Sequence, residues 1–302
     1  LILSGTKLSA NICAPFAGDS TPQQFLDVET NRDSVFFNKN EQEAFRSCFK
    51  DPEKIKKIEK TAYKSFNKWR RIEAMLTLSY LDNKNAPAIF EISLQSKDDD
   101  IRYFSVIALG EMKSDSSARI LVDLIRKDGF SRRKIVSVLE SFPPEVTASY
   151  TIPLLKDNRP DVRFWALKLL SRLDPGKYLS VISMLVKDPS DEVRSAACEC
   201  LGNTGKTGAA EALYSSLKDD SWVVRSAAVK ALSNLLGNAC LPKVTKLIKD
   251  NSLSVIYSVK EAMVAHIEAA IPYIERIMET DDKMAKIMCV EALEEAKRRP
   301  GK

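Results

Sequence analysis

The chain has 302 residues, 44% of them apolar and 29% charged, with a net charge of +5. That balance belongs to a folded chain rather than a disordered one, and the charge is too mild to name nucleic acid as a partner by itself. No run of about 18 apolar residues occurs, so no segment is built to cross a bilayer as a helix.

Taken in order, the chain begins Leu1-Ile2-Leu3 rather than with Met. An arbitrary cut explains this, and so does the stub of a signal or anchor upstream of Leu1. Residues 1–37 fit no periodic pattern, and Ala14-Pro15-Phe16-Ala17-Gly18-Asp19-Ser20-Thr21-Pro22 is rich in turn formers. An extended N-terminal arm is expected there, with a short helix near Phe25. Over 38–51 the spacing of Ala44, Phe45, Cys48 and Phe49 predicts one helix, a half-repeat capping the first end of a helical stack.

From Pro52 a period sets in. Lys187-Asp188-Pro189-Ser190-Asp191-Glu192-Val193-Arg194-Ser195-Ala196-Ala197 returns as Lys218-Asp219-Asp220-Ser221-Trp222-Val223-Val224-Arg225-Ser226-Ala227-Ala228. Aligned on its arginine, the chain reads Arg71, Arg102, Arg132, Arg163, Arg194, Arg225, Ile256 and Lys286, in steps of 30 or 31 residues. A fixed period of that size signals stacked helical hairpins. Eight are predicted over 52–299, with second helices near 68–79, 100–110, 130–141, 161–172, 191–201, 222–235, 253–265 and 283–297. Each carries an apolar stripe such as Val193, Ala196, Ala197 and Leu201, with small residues where helices approach closely. Six of the first helices end in Lys-Asp, at Lys97-Asp98, Lys127-Asp128, Lys156-Asp157, Lys187-Asp188, Lys218-Asp219 and Lys249-Asp250. Lysine suits the final carbonyls and aspartate suits the turn. Ser190 is the expected N-cap of its helix. Pro153, Pro242 and Pro272 fall mid-way along first helices and are expected to kink them.

The Asp-turn-Val-Arg-x-x-Ala-x-x-x-Leu-Gly pattern resembles HEAT repeats, specifically the short subtype named after phycobilisome lyases, over roughly residues 52–297. The resemblance implies an all-α, right-handed α-solenoid of about eight hairpins. It also implies a ladder between repeats made by the turn Asp and the second-helix Arg. The matching pairs are Asp157 with Arg163, Asp188 with Arg194, and Asp219 with Arg225. Ile256 replaces the arginine, and Asp98 and Asp128 sit in shorter turns, so those units are expected to lie outside the ladder. A partly exposed Asp–Arg pair contributes about 0.2–1 kcal/mol. Each buried Val, Leu or Ile contributes about 1.5–3 kcal/mol. Apolar faces should therefore hold the stack, with the ladder setting its register.

The chemistry is mostly an argument from composition. His266 is the sole histidine, which excludes catalytic triads, His-ligated zinc and the repeated His-Glu iron sites of the deoxyhypusine hydroxylase branch. Carboxylate runs such as Asp98-Asp99-Asp100 and Asp281-Asp282 read as helix starts and turns. The six cysteines (Cys13, Cys48, Cys198, Cys200, Cys240, Cys289) form no C-x-x-C pair. Buried free thiols point to a reducing compartment, the cytoplasm. No cofactor, metal or catalytic residue is expected.

In proteins of this type the second helices line the concave wall. Two slots there point away from the apolar stripe, and together with a turn indole they supply Tyr103, Arg133, Phe164, Lys168, Trp222, Lys230 and Tyr257. Aromatics and arginine on an exposed wall are anchor residues for a protein partner. The competing reading is that Tyr103 and Phe164 complete the core. Trp222 stands where other units have Asp99, Gly129, Pro160, Asp191 and Leu253, so its indole should protrude from a turn. Trp165, in the slot of Ala196 and Ala227, reads as core. The Lys50–Arg71 stretch reads as a basic helix carrying Lys54, Lys57, Lys60, Lys64 and Lys68. That is a solvated face, or a site for an anionic membrane surface or nucleic acid, with nucleic acid disfavoured. The leading expectation is a non-enzymatic scaffold for a protein partner of unknown identity. Binding through the basic helix is the alternative, and a bilin lyase or chromophore chaperone is the weakest of the three.

Overall fold

The computed structural model describes residues 46, 49 and 51–298. The expected arm over 1–37, most of the capping helix over 38–51, Cys13, Cys48 and Lys50 lie outside the described residues. Among those described, all regular structure is helical. The chain divides into two compact units, one reaching Thr147 and one starting at Ala148.

In the first unit three hairpins follow one another: α1 (Pro52–Lys64) with α2 (Lys68–Tyr80), α3 (Ala86–Ser93) with α4 (Asp99–Met112), and α5 (Asp115–Asp123) with α6 (Arg132–Leu139). Helix starts are set by side-chain caps. Asn67 accepts from the Trp69 and Arg70 amides, Asp98 from those of Asp100 and Ile101, and Ser131 from Lys134. The division falls inside α7 (Pro144–Thr151).

The second unit continues with α8 (Pro160–Leu170), α9 (Leu179–Met184), α10 (Asp191–Gly202), α11 (Ala210–Ser216) and α12 (Trp222–Leu236). It then runs through α13 (Leu241–Val244), α14 (Leu253–Ala265), α15 (Ile267–Met278) and α16 (Lys283–Arg298). The second helices α8, α10, α12, α14 and α16 pack side by side in chain order. Their predicted stripes are the core: Val193, Ala197 and Leu201, then Val224, Ala228 and Leu232, then Val255, Val259 and Met263, all fully buried. Close approach is most severe at Gly202, where an added Cβ would stand 2.8 Å from both Cα and Cβ of Ala231.

First helices differ from expectation. Many tighten into a 3₁₀ turn before their Lys-Asp, at Leu124–Arg126, Ile152–Lys156, Leu185–Lys187 and Thr245–Lys249. Only the second of those stretches holds a proline, so proline is not the general cause. Pro153 and Pro242 open short helical segments, where a missing N–H is harmless. Pro272 alone of the three lies inside a continuous helix, α15.

The ladder exists, but its pairing is offset by one repeat. Arg163 donates from Nε and Nη2 to Asp188 at 2.7 and 2.6 Å. Arg194 likewise reaches Asp219 at 2.8 and 2.9 Å, and Arg225 reaches Asp250 at 2.8 and 2.7 Å. The same-repeat aspartates expected as carboxylate partners offer their backbone carbonyls instead, to Nη1, at Asp157, Asp188 and Asp219. The reason is reach: one fork of the guanidinium closes its own turn while the other crosses to the next. Asp250 is thereby a full rung although its own repeat has Ile256. Each carboxylate also accepts the amide two residues on, as Asp188 does from Ser190 at 2.9 Å and Asp219 from Ser221 at 2.9 Å. Ser190 holds the N-cap position but makes no side-chain cap bond. The aspartate shapes the turn in its place.

Candidate functional site

Cross-repeat contacts show how closely the starts of the second helices lie. Ser221 Oγ donates to Asp191 at 2.9 Å, Arg225 Nη2 to Asn251 Oδ1 at 2.9 Å, and the Ser226 and Ser258 hydroxyls meet at 2.8 Å. On this frame Trp222 and Leu253 are the first residues of the adjacent helices α12 and α14, and Tyr257 lies one turn below Leu253. All three stand out from the surface, 49%, 55% and 47% exposed. Trp222 and Tyr257 belong to the expected set of partner-binding residues. Leu253 was legible, since its slot holds Asp191 and Pro160 elsewhere, yet it is missing from the predicted set because a lone leucine in a turn is unremarkable.

The predicted lysines behave differently. Lys168 is paired with Glu199 of the next repeat, and Lys230 with Glu261 at 3.5 Å. Lys168 also lies over the Phe164 ring, 5.4 Å from its centroid, and Phe164 meets Trp165 edge-on at 5.5 Å. Phe164 and Trp165 are half-buried, which places Phe164 between its two readings and leaves Trp165 less enclosed than the core position expected of it. These groups therefore form a charged seam across second helices rather than open anchors. Lys260 extends it to Glu291 and Glu295 at 3.6 and 3.1 Å.

In the first unit Tyr103 is exposed, with Lys134 Nζ 5.6 Å from its ring centroid, and Arg133 faces solvent. The basic stretch is two helices, not one: Ser65, Phe66 and Asn67 separate α1 from α2. Lys54, Lys57, Lys60 and Lys64 are exposed on α1, and Phe66 is fully exposed beside them. Lys68 belongs to α2 and is committed to Asp100 at 2.6 Å, which with Asp98 raises its pKa against the opposing effect of desolvation.

Cys198, Cys200, Cys240 and Cys289 are free and buried. Burial pushes their thiols up to about 11, 12, 11 and 11 respectively. Such groups remain protonated and inert as nucleophiles at neutral pH. His266 ends α14, and its Nε2 lies 3.2 Å from Ser233 Oγ. No cluster of metal-binding side chains occurs among the described residues. No described helix is long and apolar enough to cross a membrane.

No curated protein matches the chain in sequence. Among solved structures, Escherichia coli YibA is 17% identical, with 87% of this chain and 98% of that one covered, at a TM-score of 0.47. Human deoxyhypusine hydroxylase in complex with glycerol is 18% identical over 82% and 97%, at 0.34. A designed armadillo repeat protein is 21% identical over 69% and 98%, at 0.38. The family model for HEAT repeats matches residues 178–264, the three hairpins from α9 to α14 that hold the Arg194 and Arg225 rungs. The chain carries HEAT repeats over that stretch, within a longer run of hairpins of the same period.

Proposed function

We propose that the protein is a non-catalytic scaffold that holds a protein partner on the second-helix face of its second unit. The observation that carries this reading is the exposed trio of Trp222, Leu253 and Tyr257. Trp222 and Leu253 stand at adjacent helix starts, in a slot where other repeats place Asp99, Gly129, Pro160 and Asp191, and Tyr257 adds an aromatic ring one turn on. Aromatic anchors in such a setting dominate binding energy, while surrounding polar groups exclude water. The Lys230–Glu261 pair and the Lys168–Glu199 pair supply a neutralised polar border. The buried thiols have raised pKa values, and the one histidine gives the face no pair of imidazoles.

The test is affinity capture from an extract of the source cells, comparing the native chain with Trp222→Asp/Leu253→Asp. A protein retained by the native chain at stoichiometric level and lost, by about tenfold or more, from the variant is the expected result. Equal retention by both would remove this face from consideration.

A second reading rests on α1, where Lys54, Lys57, Lys60 and Lys64 are exposed next to Phe66. That combination suits an anionic membrane surface, each lysine contributing about 1 kcal/mol near the headgroups. Sedimentation with phosphatidylserine vesicles, lost on adding salt or on Lys60→Glu/Lys64→Glu, would support it.

A further inference from the structure

Thirteen large apolar or aromatic side chains stand exposed among the described residues, and five belong to the last hairpin: Ile271 and Met278 on α15, and Met284, Ile287 and Val290 on α16. Inner repeats show what those slots are for. Val290 is 43% exposed, whereas Val229 and Cys198, its counterparts two and three repeats earlier, are wholly buried. Met278 is 40% exposed, whereas Ile248, one repeat earlier, is 2% exposed. At Val290 and Met278 the last described hairpin thus presents, uncovered, slots that inner repeats bury, whereas the slot of Ile287 is open at Tyr257 as well.

Among the exposed residues of α16, which also include Met284 and Arg298, Lys283, Ile287, Val290, Glu294 and Lys297 follow one another in alternating steps of four and three. That spacing is the a/d seam of a two-stranded coiled coil. The seam is also self-complementary. Turned antiparallel about a two-fold axis midway between residues 288 and 289, Ile287 meets Val290 of a second copy and Lys283 meets its Glu294. Both contacts occur twice. Two apolar pairs are then flanked by two opposite-charge pairs, with no like charges opposed. Glu294 is free to turn, because its contact with Arg298 is a solvent-exposed one at 3.7 Å. Glu291 and Glu295 stay with Lys260 and take no part.

We propose that this face is a self-association surface, on which α16 pairs antiparallel with α16 of a second copy while Ile271 and Met278 border the seam. A two-fold contact uses one patch twice and closes after two subunits, which suits a seam that reads the same from either end. The surface is distinct from the Trp222–Leu253–Tyr257 trio and stands independently of the scaffold reading.

Sedimentation equilibrium of the 302-residue chain over a hundredfold concentration range tests it. The expected mass rises from 33.8 kDa toward twice that value with concentration. Val290→Asp should weaken association by about tenfold or more, with an unchanged helical circular dichroism spectrum. Lys283→Glu and Glu294→Lys should each weaken it, and the Lys283→Glu/Glu294→Lys double variant should restore it, since the pairs are merely exchanged. A mass fixed at the monomer throughout would overturn the proposal, as would association indifferent to Val290→Asp. Single swaps that weaken association without rescue in the double would overturn the antiparallel Lys283–Glu294 pairing.

Discussion

Asp219 does three things at once. It accepts two hydrogen bonds from Arg194, accepts the Ser221 amide, and by its own carbonyl anchors Arg225. Burial alone would raise its pKa, but the Arg194 and Ser221 bonds outweigh that and leave it below the ordinary carboxylate value. Asp250 behaves the same way with Arg225 and Ser252. A depressed folded-state pKa contributes stability above the ordinary carboxylate range, and that contribution disappears as pH falls through the folded-state value. Glu73 and Glu111 in the first unit have the opposite sign. Burial raises both, and Glu73 Oε1 is buried without a hydrogen-bond partner. Their penalty applies above the raised values and lifts as pH drops toward the ordinary range. Mild acid should therefore favour the first unit slightly, and stronger acid should strip the rungs from the second. Asp219→Asn should lower stability by about 1.5–3 kcal/mol at pH 7, the worth of hydrogen bonds to a charged group. Urea midpoints at pH 7 and pH 3 check both points, because the difference between native and variant should shrink at pH 3.

Among the helices, α10 and α12 depend on one missing side chain. Gly202 ends α10 with its Cα against Ala231, and the obstructing atoms are backbone and Cβ rather than a flexible tip. Gly202→Ala improves intrinsic helix propensity by about 1 kcal/mol. The overpacking it forces costs about 1–3 kcal/mol, and the approach distance decides that packing wins. A lower melting temperature is expected. A rise would mean that the two helices separate freely. The Leu-Gly ending of this repeat was visible in sequence, as were all eight second helices, because each carries a full apolar stripe with 3.6-residue spacing. First helices were less legible. Their closing 3₁₀ turns bear no composition signal, as Leu185–Lys187 and Leu124–Arg126 show.

For the chain as a whole, burial of the four described cysteines makes them reporters of unfolding. Iodoacetamide should modify Cys198, Cys200, Cys240 and Cys289 slowly, in proportion to the open population of the second unit, and rapidly in denaturant. Peptide mass spectrometry checks this residue by residue. Fast labelling of Cys198 in the native protein would contradict its complete burial. Periodicity by itself determined the all-helical class, the positions of the second helices and the core stripes, since each depends on residue type at fixed spacing along one chain. Partners between repeats were decided only in three dimensions. Arg163 could be matched from sequence to the aspartate of its own turn or to that of the next, and the geometry of a forked guanidinium chose the next. Lys168 and Lys230 read as open anchors until Glu199 and Glu261 were found beside them. Exposure of Leu253 and Val290 was hidden for the same reason: an apolar residue in a repeat slot is buried or bare according to the neighbour that stacks on it, and that neighbour is a tertiary fact.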